Sequence, residues 1–417
     1  MNLNALDFPD LQSALDAAID GDRVYVPAGI WKSPAASGFK IRSSIEVYGD
    51  GAGPVGSLNG TMLVPGGANL DVVTVECPYG GLDSVYIHDL RIDQEPVNQL
   101  KFRRGIACVL GALQVVDAIR VERVIVLHGT DNGVHVSGAD GVTSFVGRVA
   151  INHANCSNVG GYGAFLQNVR HVSSVRGEFD TGLLGGMHCK ACGVALYSSG
   201  FEHNGNKDAS PQVKTISLWL EACHLALVAA CRFENFYFGA PAIACQLDAC
   251  RGAAEVRACV FVQGLGEGEI NPTLVNAIGI DVPSSATGAG PAILLQAAYT
   301  RVHPLLVQVD ASAVGAVIGS FYEFVEPAPA SIPPGNVQQP GNVNNGMLAA
   351  PFVRRENGVN DAVGVMLPSW DIAGDPTGTT QYGMIYMHLH GSVTEPRVCL
   401  PVPGQPGAVQ WQKILTL

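Results

Sequence analysis

Charged residues are scarce in this sequence. Only 14% of its 417 residues are Asp, Glu, Lys or Arg, and 36 acidic residues against 24 basic ones give a net charge of -12. The Lys and Arg residues form no cluster and no basic helix pattern. Because nucleic-acid binding depends on neutralising phosphates with Lys and Arg, the composition argues against a nucleic-acid partner.

Long apolar runs are also missing. The first ten residues contain neither the basic nor the apolar stretch of a secretory signal, and no run approaches the roughly eighteen apolar residues of a membrane span. The eleven cysteines are an odd number and, without a secretion signal, point to free thiols. We therefore expect cytoplasmic synthesis and no membrane insertion. An extracellular role would require lysis, assembly into a particle or a non-signal export route.

What the sequence does contain is glycine (50 residues), small and β-branched residues, and a repeat. Six short alternating segments align, and each is followed by two more short alternating runs. The equivalent positions, spaced 23 to 31 residues apart, are Ala107, His135, Phe165, His188, Trp219 and Gln246. Three strands per period predict an all-β, right-handed parallel β-helix with three strands in each coil. A β-propeller would need four strands per blade, and the Leu and Asn spacing of leucine-rich repeats is missing.

Both ends of the chain differ from the repeat. An amphipathic helix is predicted from Asp10 to Gly21, where it would cover the open first coil. The β-helix with this cap is expected over residues 1–326. Residues 327–346 are rich in Pro, Gly and Asn and predict a linker, and alternating runs within 347–417 predict a small C-terminal β-domain.

The N-terminal pattern carries a family resemblance. The helix followed by VYVPAGIW and IEVYGDGAG, within residues 10–53, resembles the opening of the pectate-lyase-like superfamily, which includes polysaccharide-degrading β-helices and phage tailspikes. The coils resemble it only generically, to about residue 325. TDNG at 130–133 is not followed by the paired aspartates and Gly-His-Gly of polygalacturonases, so no catalytic residue is transferred. Residues 347–417 resemble the trimerising or receptor-binding ends of phage fibres, which implies a homotrimer and contacts with other virion proteins.

One face of the predicted stack has an unusual composition. Alternate residues of the aligned segments are apolar and predict the interior, whereas the residues between them include histidines, aromatics and acids. Aromatic side chains beside polar groups are typical of a sugar-binding cleft, because a pyranose has apolar faces and a polar rim. The predicted substrate-binding residues are His135, Phe165, Gln167, His188, Lys190, Trp219 and Gln246. Alternatively, Phe165 and Trp219 pack beneath a loop or against another subunit. The net negative charge favours a neutral glycan, although a local Lys or Arg would override this preference.

Two acids on this face form the first candidate catalytic pair. Glu221 and Asp248 hold the same position on consecutive coils, which stack about 4.8 Å apart. A separation of about 5 Å is typical of retaining glycosidases, and such closeness raises the pKa of one carboxyl, which could then act as general acid. Lys190 could keep the other carboxyl ionised. The alternative is a surface acid ladder relieved by Lys190 or by a cation.

A second acid column follows the third strand of each coil and contains Asp180, Glu202 and Glu234. The long loops at 204–214 and 263–277 should wall the groove beside it, at a junction where β-helix hydrolases often carry their acids. Asp180 and Glu202 are therefore the second candidate pair, with a turn-stabilising ladder as the alternative. For a lyase, the candidate bases are His188 with Lys190, or His203.

The cysteines suggest core packing. Cys192, Cys223 and Cys250 recur once per coil, as an internal stack of thiols would, and no metal or other cofactor is predicted. Three functions stay open. They are a tailspike-type depolymerase that cleaves a bacterial surface glycan, a non-catalytic virion fibre or decoration protein that binds glycan, and a bacterial uronate lyase or epimerase. The first two place the protein on a virion or outside the cell.

Overall fold

The computed structural model describes residues 1–53, 59–78, 81–205, 214–234 and 242–250, together with strands that continue to residue 413. Side chains beyond residue 250 are described over 254–261 and 279–283. Apart from one 3-10 turn at Ala5–Asp7 and one helix at Leu11–Ala17, the regular structure of this part of the chain is β-strand.

Three parallel faces make up the stack of coils. We define face 1 as the eleven-stranded parallel sheet. Its strands are Phe39–Ile41, Val73–Val75, Ile106–Val109, Val134–Ser137, Tyr162–Gln167, Gly185–Lys190, Thr215–Glu221, Ala242–Asp248, Ala277–Ser284, Pro304–Val309 and Ala330–Ser331. Each strand pairs with the equivalent strand of the next coil, and chain connections between parallel strands are right-handed.

Faces 2 and 3 together form an eighteen-stranded sheet, because several strands bend from one face into the other. The face 2 strands are Asn2–Asn4, Arg23–Val26, Glu46–Gly49, Phe145–Asn152, Val169–Val175, Gly193–Tyr197, Leu225–Ala229 and Val317–Ile318. The face 3 strands are Gly29–Lys32, Thr61–Val64, Asn155–Ser157, Glu178–Asp180, Gly200–Glu202 and Arg232–Glu234. The strands that run through both are Leu82–Ile92, Val115–Leu127, Ala253–Val262 and Ala292–Arg301. The chain is therefore a right-handed parallel β-helix, as predicted.

Single residues in the left-handed backbone conformation turn the chain between faces. Between faces 1 and 2 the backbone φ angle is 54° at each of three corner residues, which are Asn168, Ala191 and Ala222. Asn adopts this conformation readily, whereas Ala does so at a cost of roughly 1–2 kcal/mol. Because these corners are one to three residues long, the end of each of these face 1 strands lies close to the start of a face 2 strand.

The interior is dry and stacked in columns. The alternation predicted for face 1 is confirmed, since Val134, Leu166, Cys189, Leu220 and Leu247 are all fully buried. On face 3, four phenylalanine rings stack coil upon coil, with centroids separated by 5.5, 5.0 and 5.0 Å; they are Phe179, Phe201, Phe233 and Phe261. Such columns provide the hydrophobic stabilisation of a solenoid, in which each coil contacts only its neighbours.

The cysteines belong to this interior. The ten cysteines in the described part of the chain are free thiols, and all are buried. The Sγ atoms of Cys192, Cys223 and Cys250 each donate a weak hydrogen bond to a backbone carbonyl, which agrees with the predicted internal stack. Among the residues described, no group of three or more His, Cys, Asp and Glu residues could hold a metal ion. Over the same residues, no helix has the length and apolar character needed to cross a membrane.

The N-terminal helix begins where predicted but ends earlier. Asp10 is the N-cap, and its carboxylate accepts a hydrogen bond of 2.7 Å from the amide of Ser13. The helix ends at Ala17 and does not continue to Gly21, because the Asp22 carboxylate accepts from the Ile19 amide at 3.0 Å and holds the chain in a turn. Leu11, Ala14 and Leu15 are buried and belong to the core that continues into the coils.

Replacing the helix cap should destabilise this end of the stack. We expect Asp10→Ala to lower the free energy of unfolding by about 1 kcal/mol, because the Ser13 amide loses its acceptor. Asp10→Asn keeps an acceptor and is the matched control. Chemical denaturation followed by circular dichroism measures both, and an equal loss in the two variants would contradict the capping role.

The C-terminal part of the described chain differs in strand direction. Ala330–Ser331, inside the predicted linker, pairs in parallel with the face 1 strand Pro304–Val309. The remainder of the predicted linker lies outside the described residues. Later strands pair mostly antiparallel and are Phe352–Arg354, Gly364–Met366, Ser369–Trp370, Ile385–His390, Val393–Pro401 and Val409–Lys413. The boundaries at 327 and 347 stay predictions.

Candidate functional site

The outward side chains of face 1 form a continuous file. His135, Phe165, His188 and Trp219, which we name the aromatic file, are direct partners on four consecutive coils, and Gln246 follows on the fifth. Ring centroids lie 4.9, 5.1 and 4.2 Å apart along the file. The structure thus brings together five of the residues predicted to bind substrate, at the spacing that coil stacking imposes.

A second outward row runs beside the file. Gln167, Lys190, Glu221 and Asp248 are direct partners on consecutive coils. Lys190 Nζ lies 2.6 Å from Glu221 Oε1, and His188 Nε2 lies 3.0 Å from Glu221 Oε2. Burial acts to raise the pKa of Glu221, but the contacts with Lys190 and His188 outweigh it, so this pKa lies below its usual value. Glu221 is therefore an ionised carboxylate at neutral pH, which does not suit a general acid.

The two histidines of the file are neutral at neutral pH. Burial lowers the pKa of His188 despite the opposing effect of Glu221, and it lowers the pKa of His135 to about 4. Because a carboxylate only accepts hydrogen bonds, His188 donates from Nε2 to Glu221, and its Nδ1 is then the unprotonated nitrogen. His135 Nδ1 lies 3.0 Å from Asn132 Nδ2 and accepts a hydrogen bond from it.

The file is less exposed than the sequence suggested. His188 is 6% exposed and Gln246 is 2% exposed, and Trp219 packs partly against Ile216 and Ile243. Ile216 and Ile243 lie on face 1 strands, not on a loop or another subunit, so this contact does not test the alternative that the sequence left open. Trp219 Nε1 and Gln246 Oε1 are nevertheless buried without any hydrogen-bond partner.

The second acid column lies on face 3. Asp180, Glu202 and Glu234 are partners on consecutive coils, each following a phenylalanine whose ring points into the core. Arg232 reaches three carboxylates of this cluster, with its guanidinium 3.8 Å from Glu178, 3.8 Å from Glu202 and 3.4 Å from Glu234. Sequence reasoning missed Glu178 and Arg232, although both occupy the outward position two residues before a column acid.

Asp180 has the most unusual electrostatics of the column. Burial, together with the negative charges of Glu178 and Glu202, raises the pKa of Asp180 to about 7. Its Oδ1 atom is buried and has no hydrogen-bond partner. Burial also raises the pKa of Glu178. A carboxyl that keeps its proton at neutral pH can act as a general acid.

Three solved structures are similar to this chain at low sequence identity. The mannuronan C-5 epimerase AlgE6 A-module of Azotobacter vinelandii shares 12% identity over 79% of this chain and 96% of its own, with a TM-score of 0.38. Tailspike protein 3 of bacteriophage CBA120 shares 11% over 99% of this chain and 68% of its own, with a TM-score of 0.40. A family 28 exopolygalacturonase of Yersinia enterocolitica shares 10% sequence identity over 79% of this chain and 77% of its own, with a TM-score of 0.35. No family model matches the sequence, and no curated protein matches it significantly.

The fold is a right-handed parallel β-helix. In this β-helix, the acid column and the aromatic file flank the same corner. The chain leaves face 3 at Asp180 and enters face 1 at Gly185. His203, on the next coil, places Nδ1 3.7 Å from Glu202 Oε1. The loops predicted to wall this corner lie, over 206–213 and 263–276, outside the described residues.

Proposed function

We propose that this protein binds a polysaccharide along face 1 and cleaves it at the corner between faces 3 and 1, as a tailspike-type depolymerase of a bacterial surface glycan. Asp180 is the general acid and Glu202 the second carboxylate. The observation that carries the proposal is the pKa of the Asp180 carboxyl, which is about 7. Glu202, the direct partner of Asp180 on the next coil, lies beside it. Of the two acid pairs predicted from the sequence, this pair has the electrostatics that glycoside cleavage requires.

The chemistry follows from the difference between the two carboxyls. A glycosidase needs a protonated carboxyl beside the leaving oxygen. It also needs a second carboxylate, which either attacks the sugar carbon or activates a water. Direct partners on adjacent coils lie about 4.8 Å apart, close to the roughly 5–5.5 Å of retaining enzymes. We therefore propose retention of configuration at the cleaved bond. Arg232 lies beside Glu202 and limits the repulsion between the acids.

The aromatic file supplies the binding surface in this proposal. Phe165 and the exposed part of the Trp219 ring offer apolar surface to sugar rings. The ionised Glu221, held by Lys190, accepts hydrogen bonds from sugar hydroxyls. Glu221 and Asp248, the first candidate pair from the sequence, act here in binding, because Glu221 is ionised and tied to Lys190 and His188.

The biological setting is part of the same proposal. Residues 347–417 would form the trimerising or receptor-binding end, which makes the protein a homotrimer that contacts other virion proteins. Its resemblance to the ends of phage fibres supports this assignment. The protein would then act on a virion or outside the cell.

Incubation with purified capsular and lipopolysaccharide glycans tests the cleavage. We expect one glycan to shorten and to release one new reducing end for each bond cleaved, as followed by size-exclusion chromatography and a reducing-sugar assay. Proton NMR of the first product should show retained configuration. Glycan binding without shortening would instead establish the non-catalytic fibre or decoration protein.

A uronate lyase or epimerase is the second candidate, and His188 favours it. A neutral imidazole with a free Nδ1, fixed by Glu221 and close to Lys190, has the form of a base that removes a proton next to a carboxylate. Ultraviolet absorbance of the products distinguishes a lyase from a hydrolase. An unsaturated product would establish the lyase, whereas a hydrolase releases none.

A further inference from the structure

A groove lies on the outer surface of face 2, away from the acid column. Its volume is about 460 Å³, and its wall includes Arg120, Arg148 and His171. Its floor is a row of small residues, because Ala150, Ser173 and Ala195 are direct partners on consecutive coils. We name it the arginine groove. Short side chains in this row leave room for a ligand against the sheet.

The arginines of this groove differ from most others in the described structure. Eight of the twelve arginines with described side chains form an ion pair with a carboxylate. Arg120 and Arg148 have none. The remaining two are Arg170, whose guanidinium lies 3.4 Å from the centroid of the Phe145 ring, and Arg176. In a chain of net charge -12, two unpaired guanidinium groups in one groove are an exception that calls for an anion.

The one carboxylate in the groove wall is already engaged. Glu122 Oε2 accepts a hydrogen bond of 2.6 Å from the Tyr86 hydroxyl, and its Oε1 contacts Arg123. Tyr86 and Arg123 thereby outweigh the effect of burial and hold the pKa of Glu122 below its usual value. Glu122 is therefore not a counterion for Arg120 or Arg148.

The positions of the arginines suit a carboxylate on a sugar. Arg148 is the direct partner of Ala118 on the preceding coil, and Arg120 lies two residues further along that strand. Diagonal neighbours of this kind are about 7–8 Å apart at the backbone, so both guanidinium groups can reach one carboxylate with bidentate hydrogen bonds. His171, the partner of Arg148 on the following coil, and Asn152 add polar contacts.

We propose that the arginine groove binds the carboxylate groups of an acidic glycan, so that the polysaccharide of this protein is a polyuronate-type chain. The inference rests on the proposed function, because it names the class of glycan that the same coils bind. It also reverses the preference for a neutral glycan that the net charge suggested. The one-residue corner at Asn168 joins the two faces, with Phe165 on the face 1 strand before it and His171 of the groove on the face 2 strand after it.

The test compares an oligouronate with its carboxyl-reduced, neutral counterpart. Isothermal titration calorimetry measures the affinity of the full-length parent, of the double variant Arg120→Gln/Arg148→Gln, and of Arg176→Gln, which replaces an unpaired arginine outside the groove. We expect the double variant to bind the oligouronate at least about tenfold more weakly, because hydrogen bonds to charged groups are lost. Arg176→Gln should stay within about twofold of the parent, since exposed charges contribute little. The neutral oligosaccharide should bind parent and variants equally.

Several outcomes would overturn the proposal. These are unchanged oligouronate affinity in the double variant, equal affinity of the parent for both oligosaccharides, and displacement of the oligouronate by an equal concentration of inorganic phosphate, which would reveal a simple anion site. Chain shortening, measured in parallel, separates this proposal from the proposed function. A parent that shortens a neutral glycan but does not bind the oligouronate contradicts only the groove. A parent that binds the oligouronate through the arginines but shortens no glycan contradicts only the cleavage.

Discussion

Asp180→Asn should lower the rate constant for glycan cleavage by about a hundredfold to ten-thousandfold, the range that general acid catalysis contributes. An amide of the same shape has no proton to give to the leaving oxygen. Glycan affinity should stay within about twofold of the parent, because the aromatic file is unchanged. Reducing-end production under saturating glycan measures the rate, and calorimetry measures the affinity.

The Asn variant should fold at least as well as the parent. Asp180 Oδ1 is buried without a hydrogen-bond partner, so removing the acid relieves an unfavourable burial. Asp83→Asn, which replaces an exposed carboxylate on face 2, is the matched control and should cleave normally. Full cleavage activity in the Asp180 variant would remove Asp180 from the mechanism.

The pH profile provides an independent check of the same role. A general acid must be protonated, and the pKa of Asp180 is about 7. The cleavage rate should therefore be maximal below this pKa and fall as pH rises through about 7, approaching tenfold per pH unit. The residual activity of Asp180→Asn should lack this decline. A parent profile that stays flat between pH 6 and pH 9, a window of about one to two units around the pKa, would contradict the assignment.

Phe201→Ala should destabilise the fold by about 3–5 kcal/mol, the usual cost of removing a fully buried aromatic ring. The Phe201 ring is 0% exposed and stacks between Phe179 and Phe233, at centroid distances of 5.5 and 5.0 Å. Its removal leaves a cavity against both neighbouring coils, and contacts between neighbouring coils contribute a large part of the stability of a solenoid. Urea unfolding followed by tryptophan fluorescence and circular dichroism measures the loss.

Phe165→Ala is the matched control on the outside of the same stack. Phe165 is half-buried in the aromatic file and stacks on His135 with a centroid distance of 4.9 Å. We expect this variant to lose no more than about 1.5 kcal/mol of stability and to bind glycan more weakly. Equal destabilisation by the two substitutions would show that the outer file is as important as the core for folding, and would weaken its assignment as a binding surface.

The architecture was predictable because strand geometry is local. Successive side chains of a strand point to opposite sides, so the alternation around Val134, His135 and Val136 identifies interior and exterior without any tertiary information. The repeat spacing then predicts that His188, Trp219 and Gln246 are partners on consecutive coils, which the structure confirms. The helix start at Asp10 was predictable for the same reason, since a cap acts over three residues.

The electrostatics of the site were not predictable in this way. In the sequence, Glu221 and Asp180 are equivalent, because each is a predicted outward acid whose partner on the next coil is another acid. Tertiary packing gave Glu221 two cationic or donor neighbours and left Asp180 buried beside Glu178 and Glu202. A pKa depends on burial and on distances between side chains of different coils, which rotamers and corner geometry decide.

The amino-acid sequence by itself determined the coil, its three faces and which strand residues point into the stack or out of it. The reason is that side chains alternate between the two sides of a strand. Only the tertiary structure decided which carboxyl keeps its proton and which arginines stay unpaired in the groove of face 2. These outcomes depend on contacts between side chains of neighbouring coils, and the close packing of the coils sets those contacts.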